Sequence, residues 1–292
     1  MYTDPNVLEL PPVRSSFMER FRGYIHRTVL VKLSRWYCRW FNYRADMGIF
    51  PLPFNLVLKY THRTRRAEAL AMSMARKLGI PTPRLISYGS DGPHWKRGSI
   101  LMTRMPGKPL DEVHKSLLTA EWDIIREQLA SYLLLMRSCK SPWCSRVCSV
   151  EGRSLIGARI PGGEEGPWAD EAAFHATFLG YASPLNCNPE VSFEDQLATV
   201  KLLTDAHHNL VFTHGDLLSH NILIDKGRVS AVLDWEYAGL LPEYWEYTQI
   251  LRLPFLGWWW PQFAMTLPGY KYEKEYKSYC AMWSFARDSF SW

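Results

Sequence analysis

Three aspartates, an asparagine and two histidines interrupt the stretch VFTHGDLLSHNILIDKGRVSAVLDWE, which runs from Val211 to Glu236 and is rich in strand-forming residues. Carboxylate and amide oxygens are ligands for hard divalent cations, and a carboxylate beside such a cation can accept a proton from an attacking hydroxyl. The chemistry suggested by these residue types is therefore metal-assisted transfer to an alcohol, with Asp216, Asn221 and Asp234 as its polar centre.

The elements that must position these groups can be read from the same stretch. Ile222–Ile224 and Val229–Leu233 are short β-branched runs, and Asp225-Lys226-Gly227-Arg228 between them is a tight-turn signal, so residues 222 to 233 should form a hairpin. With Lys226 and Gly227 as the loop, Asp225 faces Arg228 and Asn221 is expected opposite Val232. Asp234 then follows just beyond the same end. His214-Gly215-Asp216 closes the strand before the hairpin, and Asp216 precedes Asn221 by five positions.

Upstream, FNLVLKY (54 to 60) alternates like a strand and ends near Lys59. The Arg/Ala-rich segment 65 to 78 reads as a helix carrying Glu68 and stopped by Gly79 and Pro81. RLISYG (84 to 89) and SILMTRM (99 to 105) read as further strands, the second ending at Pro106-Gly107. Segments 116 to 137 and 193 to 208 have helical periodicity, and 140 to 190 is loop-like.

The order H-x-D, four residues, N, then an aspartate beyond a short hairpin resembles the catalytic loop and metal-binding aspartate of protein kinases. In the form HGDLLSHN followed by LDWE, it is similar to the aminoglycoside phosphotransferase family, including its choline-kinase and fungal branches. The resemblance covers about positions 52 to 255. It implies an α+β, two-lobed protein-kinase-like fold: an N-terminal helical extension (1–45), a small β-rich lobe (46–107) and a larger, mainly helical lobe (108–292). It also implies ATP and Mg2+ as cofactors. Asp216 would be the catalytic base, Asn221 and Asp234 the metal ligands, and Lys59 with Glu68 the ion pair that orients the nucleotide phosphates. The backbone from Met102 to Met105 would hold adenine. His214 would brace the loop, and His220 has no fixed role.

The sequence departs from the kinase pattern in two ways. No glycine-rich phosphate loop is recognisable, ADMGIF around Gly48 offering a minimal version only. Seven residues separate Asp234 from Pro242-Glu243, too few for a peptide-docking activation segment, so a small-molecule acceptor is expected. Glu236, Glu243 and Glu246 suit an amine-bearing, aminoglycoside- or choline-like acceptor. The aromatic residues Tyr244, Trp245, Tyr247 and Trp258–Trp260 would serve as a cation-π cage or, alternatively, as core. A kinase-like binding protein without transfer activity, and a metal-dependent hydrolase using His214, Asp216 and His220, are the competing functions; ATP binding separates the last from the others.

Composition limits the remaining classes. Through position 107 there are 18 Lys/Arg against 6 Asp/Glu, or +12; from 108 onward 16 against 23, or −7, giving the overall +5. A basic lobe suits a phosphate-bearing ligand and an acidic one a cation. The helical segment 14 to 44 holds eight basic residues and only Glu19, with Phe21, Ile25, Val29, Leu33, Trp36 and Trp40 near helical spacing. Such a segment also fits a membrane surface; the expectation taken is that the apolar stripe packs on its own domain, with no nucleic-acid partner. Six cysteines without C-x-x-C spacing suit free thiols in a reducing compartment, with Cys144 and Cys148 a weak metal pair. The acidic, proline-containing start argues against a signal peptide, and Arg252 with two prolines argues against a span in 249 to 267, so a cytoplasmic protein is expected.

Overall fold

Alternating apolar residues build the first sheet in the way the sequence requires. The computed structural model describes residues 16–42, 47–92, 98–186, 190–253, 258–267 and 271–285. Cys187, Ala45 and Asp46 of ADMGIF, residues 93–97, residues 254–257 and the first fifteen residues of the N-terminal extension lie outside these. Strands β1 (Ile49–Leu52), β2 (Leu56–Lys59), β3 (Leu85–Ser90) and β4 (Gly98–Thr103) form an antiparallel sheet in the order β1-β2-β4-β3. Lys59 is thereby on a central strand, paired with Ile49 on one side and Ile100 on the other.

Two helices precede the sheet: α1 (Ser16–Ile25) and α2 (Val31–Phe41), joined by a π turn over His26–Leu30. The expected inward stripe is overturned here. Phe21, Val29, Leu33, Trp36 and Trp40 are exposed, and the buried face is instead Gly23, His26, Val31, Ser34 and Cys38. The reason is close approach: Gly23 lies so near the Ser90 backbone that a Cβ there would overlap its carbonyl, and Gly89 is equally tight against the Gly23 backbone. Only small residues allow this contact. His26 then bridges to the sheet, with Nδ1 2.7 Å from Ser99 Oγ and Nε2 3.0 Å from Ser87 Oγ. Burial, followed by the charge of Arg22, lowers the His26 pKa from 6.5 to about 4, so the ring is neutral.

Helix α3 (Arg66–Lys77) follows β2 and ends before Gly79 and Pro81, as expected. It buries Ala69, Leu70, Met72 and Met74 together with one charged residue, Glu68. The hairpin Ile222–Asp225 / Arg228–Val232 belongs to the same compact unit. It pairs with β5 (Lys108–Pro109), and the Val232 N–H donates to Pro81 O at 2.7 Å. That unit comprises 16–122 and 220–236, and the other 123–219 and 237–285. The division expected at 107/108 does not coincide with these bounds, because the hairpin is tied to β5 and to the segment after α3.

The second unit is mainly helical. A short antiparallel sheet orders Cys148–Ser149, Gly239–Pro242 and Leu210–Thr213. Helices begin where the sequence supplies caps: Asp170 accepts from the Ala173 N–H at 2.8 Å, and Ser192 from the Asp195 N–H at 3.0 Å. Phe174 and Phe178 pack edge-on around a core that includes Tyr244, Trp245 and Tyr279, with the Phe174 and Trp245 centroids 5.1 Å apart. Tyr244, Trp245, Tyr247 and Trp260 are buried. Of the two readings of the aromatic cluster, these four residues take the core one.

Candidate active site

In the sheet-bearing unit the hairpin turns at Lys226 and Gly227, both with positive φ, and Asp225 faces Arg228 as expected. The register beyond differs from the expected one. Ile224 pairs with Val229 but Leu223 with Ala231, so Ser230 has no counterpart across the ladder and Ile222, not Asn221, stands opposite Val232. The bulge has a cause, since Ser230 Oγ turns away to donate to Pro106 O at 2.6 Å. One residue of slip moves Asn221 past the ladder, where its carbonyl accepts the Leu233 N–H at 2.8 Å. Asn221 is thus bonded to the residue next to Asp234. Asp234 itself has φ +60, a left-handed conformation that is uncommon for a residue other than glycine and concentrates at functional sites.

Lys59 Nζ donates to Asp234 Oδ1 at 2.6 Å and Glu68 Oε1 at 2.8 Å, and is 3.4 Å from Glu236 Oε2. Three carboxylates therefore surround one ammonium, with the half-exposed Arg63 adding a longer contact to Glu236. Burial favours the neutral lysine, but Glu68, Asp234 and Glu236 together outweigh it and hold Lys59 protonated. For Glu68 burial is the larger influence; it raises the carboxyl from 4.5 to about 7 against the pull of Lys59. Its second oxygen is buried without a hydrogen-bond partner. The most enclosed of three carboxylates sharing one cation is the one that takes up a proton.

These groups open onto a cleft of about 420 Å³. Lys59, Glu68, Met102, Met105, Asn221 and Asp234 all line it, so six residues read from separate segments of the sequence are brought to one cavity. Val57, Leu223 and Trp235 add apolar walls. Along the strand edge, Thr103 N donates to Arg84 O and Arg104 N to Asn55 O, at 3.1 and 2.6 Å. Gly48 precedes β1 rather than turning between β1 and β2. That turn is Pro53-Phe54-Asn55, with Phe54 and Asn55 both at positive φ and no glycine.

The donor chemistry of this cleft fits a hard dication. The amide oxygen of Asn221 and the carboxylate of Asp234, which both line it, are hard ligands. Among the described residues no three His, Cys, Asp or Glu side chains gather into a ready metal cage.

In the helical unit, His214-Gly215-Asp216 leaves the strand Leu210–Thr213 through a turn built around Gly215. Its φ is +79, and a Cβ would lie 2.6 Å from Tyr237 O, so this position requires glycine. His214 is buried, and its Nδ1 accepts the Asp216 N–H at 3.1 Å, which braces the turn. Beneath the turn, Glu246 accepts the N–H groups of His214 at 2.6 Å and Gly215 at 3.1 Å. Burial raises the Glu246 pKa, opposed by His214 and by these amides. Asp216 forms an ion pair with Arg252, whose backbone carbonyl accepts from Arg159 at 3.0 Å.

The sequence marks Arg252 only as an obstacle to a membrane span, not as a site residue; it lies in no motif, and its distance of 36 residues from Asp216 carries no signal. Glu236 and Glu246 were seen but given a different part, as acidic surface for a cationic acceptor. With Glu243, which is 3.4 Å from the Asn209 N–H, all three are already engaged.

The family follows from the whole chain. Residues 20–279 match the model of the phosphotransferase enzyme family APH, and the chain belongs to that family. Its fold is the α+β kinase-like one. A thermostable mutant of aminoglycoside phosphotransferase APH(4)-Ia, an aspartate-to-alanine variant in ternary complex with ADP and hygromycin B, has a similar fold with a TM-score of 0.59. The two share 15% identity over 88% of this chain and 91% of that one. The apo form of the thermostable mutant gives a TM-score of 0.55 at 15% identity, over 87% and 88%. A comparison with curated protein sequences finds no match.

Proposed function

We infer that the protein is an ATP- and Mg2+-dependent phosphotransferase that moves a γ-phosphoryl group to the hydroxyl of a small molecule. The observation carrying this is the cleft that six widely separated residues line around the Lys59 carboxylate cluster. The nucleotide would occupy the cleft, with its base between Val57 and Leu223, its edge against the Met105 backbone and its phosphates at Lys59. The amides of Thr103 and Arg104 are already used within the fold. Asn221 and Asp234 would hold Mg2+, which would supply charge neutralisation for the nucleotide phosphates.

Glu68 holds Lys59 in place. Asp216 would accept a hydrogen bond from the acceptor hydroxyl and take its proton as the new O–P bond forms and the bond from the γ-phosphorus to the β–γ bridging oxygen breaks, releasing ADP. Positioning and charge neutralisation carry such a reaction, since no covalent enzyme intermediate is required. The similar aminoglycoside phosphotransferase in ternary complex with ADP and hygromycin B pairs a nucleotide with a small molecule, which supports this reading. The acceptor would be a small alcohol, with an amine-bearing, aminoglycoside- or choline-like one among the candidates; Glu236, Glu243 and Glu246 each have a partner within the fold, as Asp216 and Asp234 do.

A second reading, a nucleotide-binding protein without transfer activity, is favoured by one observation: the β1–β2 turn carries Phe54 and Asn55 where glycine amides would otherwise cradle phosphates. Thermal unfolding with ATP and Mg2+, followed by ATP consumption across a panel of alcohols, tests both. Ligand at about a hundred times its Kd should stabilise the fold by about 2.7 kcal/mol. Asp234→Ala should remove the Mg2+-dependent part. Asp216→Ala should keep the thermal shift and lose turnover; turnover retained in Asp216→Ala would sink the assigned mechanism. A shift with no turnover on any alcohol would favour the second reading.

A further inference from the structure

The helical stretch Ser16–Phe41 has two unlike faces. One packs on the sheet through Gly23, His26, Val31, Ser34 and Cys38. The other presents Phe17, Phe21, Tyr24, Leu33, Trp36 and Trp40 to solvent, with exposures of 69% at Phe17, 56% at Trp36 and 71% at Trp40. In an unbroken helix of about 3.6 residues per turn, the group Phe17/Phe21/Tyr24 would stand on the order of 130° from Leu33/Trp36/Trp40. The π turn at His26–Leu30 closes most of that gap, because each of its residues advances the chain less around the axis. One continuous apolar stripe results, on the order of 40 Å long at a rise of about 1.5 Å per residue.

Charge identifies what this stripe suits. Arg20, Lys32, Arg35 and Arg39 are exposed and fall along one flank of it. The single acid of the stretch, Glu19, is 3.1 Å from Arg66. A second copy of the chain would bring two basic rows together. An anionic lipid surface would meet both features at once, because tryptophan, tyrosine and phenylalanine insert at the headgroup level while lysine and arginine reach the phosphates. No helix among the described residues is long and apolar enough to cross a membrane, and the geometry is that of a helix lying on one.

We propose that Ser16–Phe41 is a peripheral docking surface for anionic lipid membranes, set by the exposed Phe17/Phe21/Trp36/Trp40 stripe and its Lys32/Arg35/Arg39 flank. The test is co-sedimentation of the full chain with phosphatidylcholine vesicles, with and without phosphatidylserine. Two variants are compared: Trp36→Ser/Trp40→Ser and Lys32→Glu/Arg35→Glu/Arg39→Glu. All five positions are exposed, so the thermal midpoint of each variant should match that of the parent, and either variant alone suffices if the other misfolds. Binding should require phosphatidylserine and weaken with salt. It should fall at least about tenfold in the tryptophan variant and on the order of a hundredfold in the charge-reversed one. No binding of the parent to phosphatidylserine vesicles, or binding unchanged in a folded variant, would overturn the proposal. So would lipid-free dimers that the tryptophan variant dissolves, which would assign the face to a second copy.

Discussion

Replacing Lys59 by methionine removes the only ammonium from a buried cluster of three carboxylates while keeping most of the side-chain volume. At 2.8 Å and an effective dielectric of about 20, the Lys59–Glu68 attraction is about 6 kcal/mol before desolvation is counted. Breaking a buried pair by deleting one partner costs a net 3–5 kcal/mol, roughly, because the remaining charge is left uncompensated. The loss should depend on pH, and the sign follows from Glu68. Its folded pKa, about 7, lies above the ordinary 4.5, so its ionisation costs stability increasingly as pH rises from 4.5 through the folded value. Without Lys59 that folded value climbs further, which adds at most about 1.4 kcal/mol at pH 8, the limit reached once Glu68 stays protonated there; at pH 5 Glu68 is largely protonated in either protein and the addition vanishes. Lys59→Met should therefore lower Tm by on the order of 10 °C at pH 8 and by less at pH 5. Lys59→Met/Glu68→Gln should recover part of the pH 8 loss and remove the difference between the two pH values. An equal loss at both pH values, or no recovery on adding Glu68→Gln, would refute the view that Lys59 counterbalances a buried, proton-hungry Glu68.

Three further outcomes are expected. His26 and His175 are both held near pKa 4 by burial, so the unfolded chain binds protons that the native one does not; stability should fall as pH drops from 6.5 toward 4, by about 3 kcal/mol for each ring, and His26→Gln should shallow the slope measured in pH-dependent melts. Gly23→Ala should cost about 1–3 kcal/mol, read as a lower thermal midpoint, because its Cβ must push α1 away from the Ser90 carbonyl. Arg252→Ala should lower kcat by about 10–100-fold on whichever alcohol the screen returns, with the nucleotide KM unchanged, because the Asp216 carboxylate loses the partner that orients it.

Much of the fold was legible because its signals are local. Alternation at 54–60, the stop at Gly79 and Pro81 and the Lys226-Gly227 turn each depend on a few neighbouring residues, and the elements formed within a residue or two of the expected bounds. The hairpin register was not legible. It turns on Ser230 finding Pro106 O, a partner 124 residues away, and no pattern inside the hairpin announces the bulge. The packing face of the N-terminal helices was missed for a related reason. Periodicity identifies an apolar stripe without saying whether it faces the core, and here close backbone approach through Gly23 and the His26 bonds to two serines determine the inward side. A glycine and a histidine at helical spacing within a basic segment were the available signal.

Net charge was the weakest guide, and the reason is instructive for the acceptor. The acidic balance after position 107 suggested a cationic substrate, with Glu236, Glu243 and Glu246 as its contacts. Each of these three carboxylates has a partner within its own unit, as Asp216 and Asp234 do, so none of them is a surplus surface charge. Glu246 is buried beneath the His214–Gly215 amides, Glu236 joins the Lys59 cluster and Glu243 faces Asn209. At Asp216 the ion-pair partner is Arg252, a cation, with Arg159 bonded to its backbone. Around the proposed base Arg252 and Arg159 are matched in number by Asp216 and Glu246, so local charge does not select between an amine-bearing, a neutral and an anionic acceptor. A first activity screen should therefore span all three kinds of alcohol rather than follow the sum over the chain.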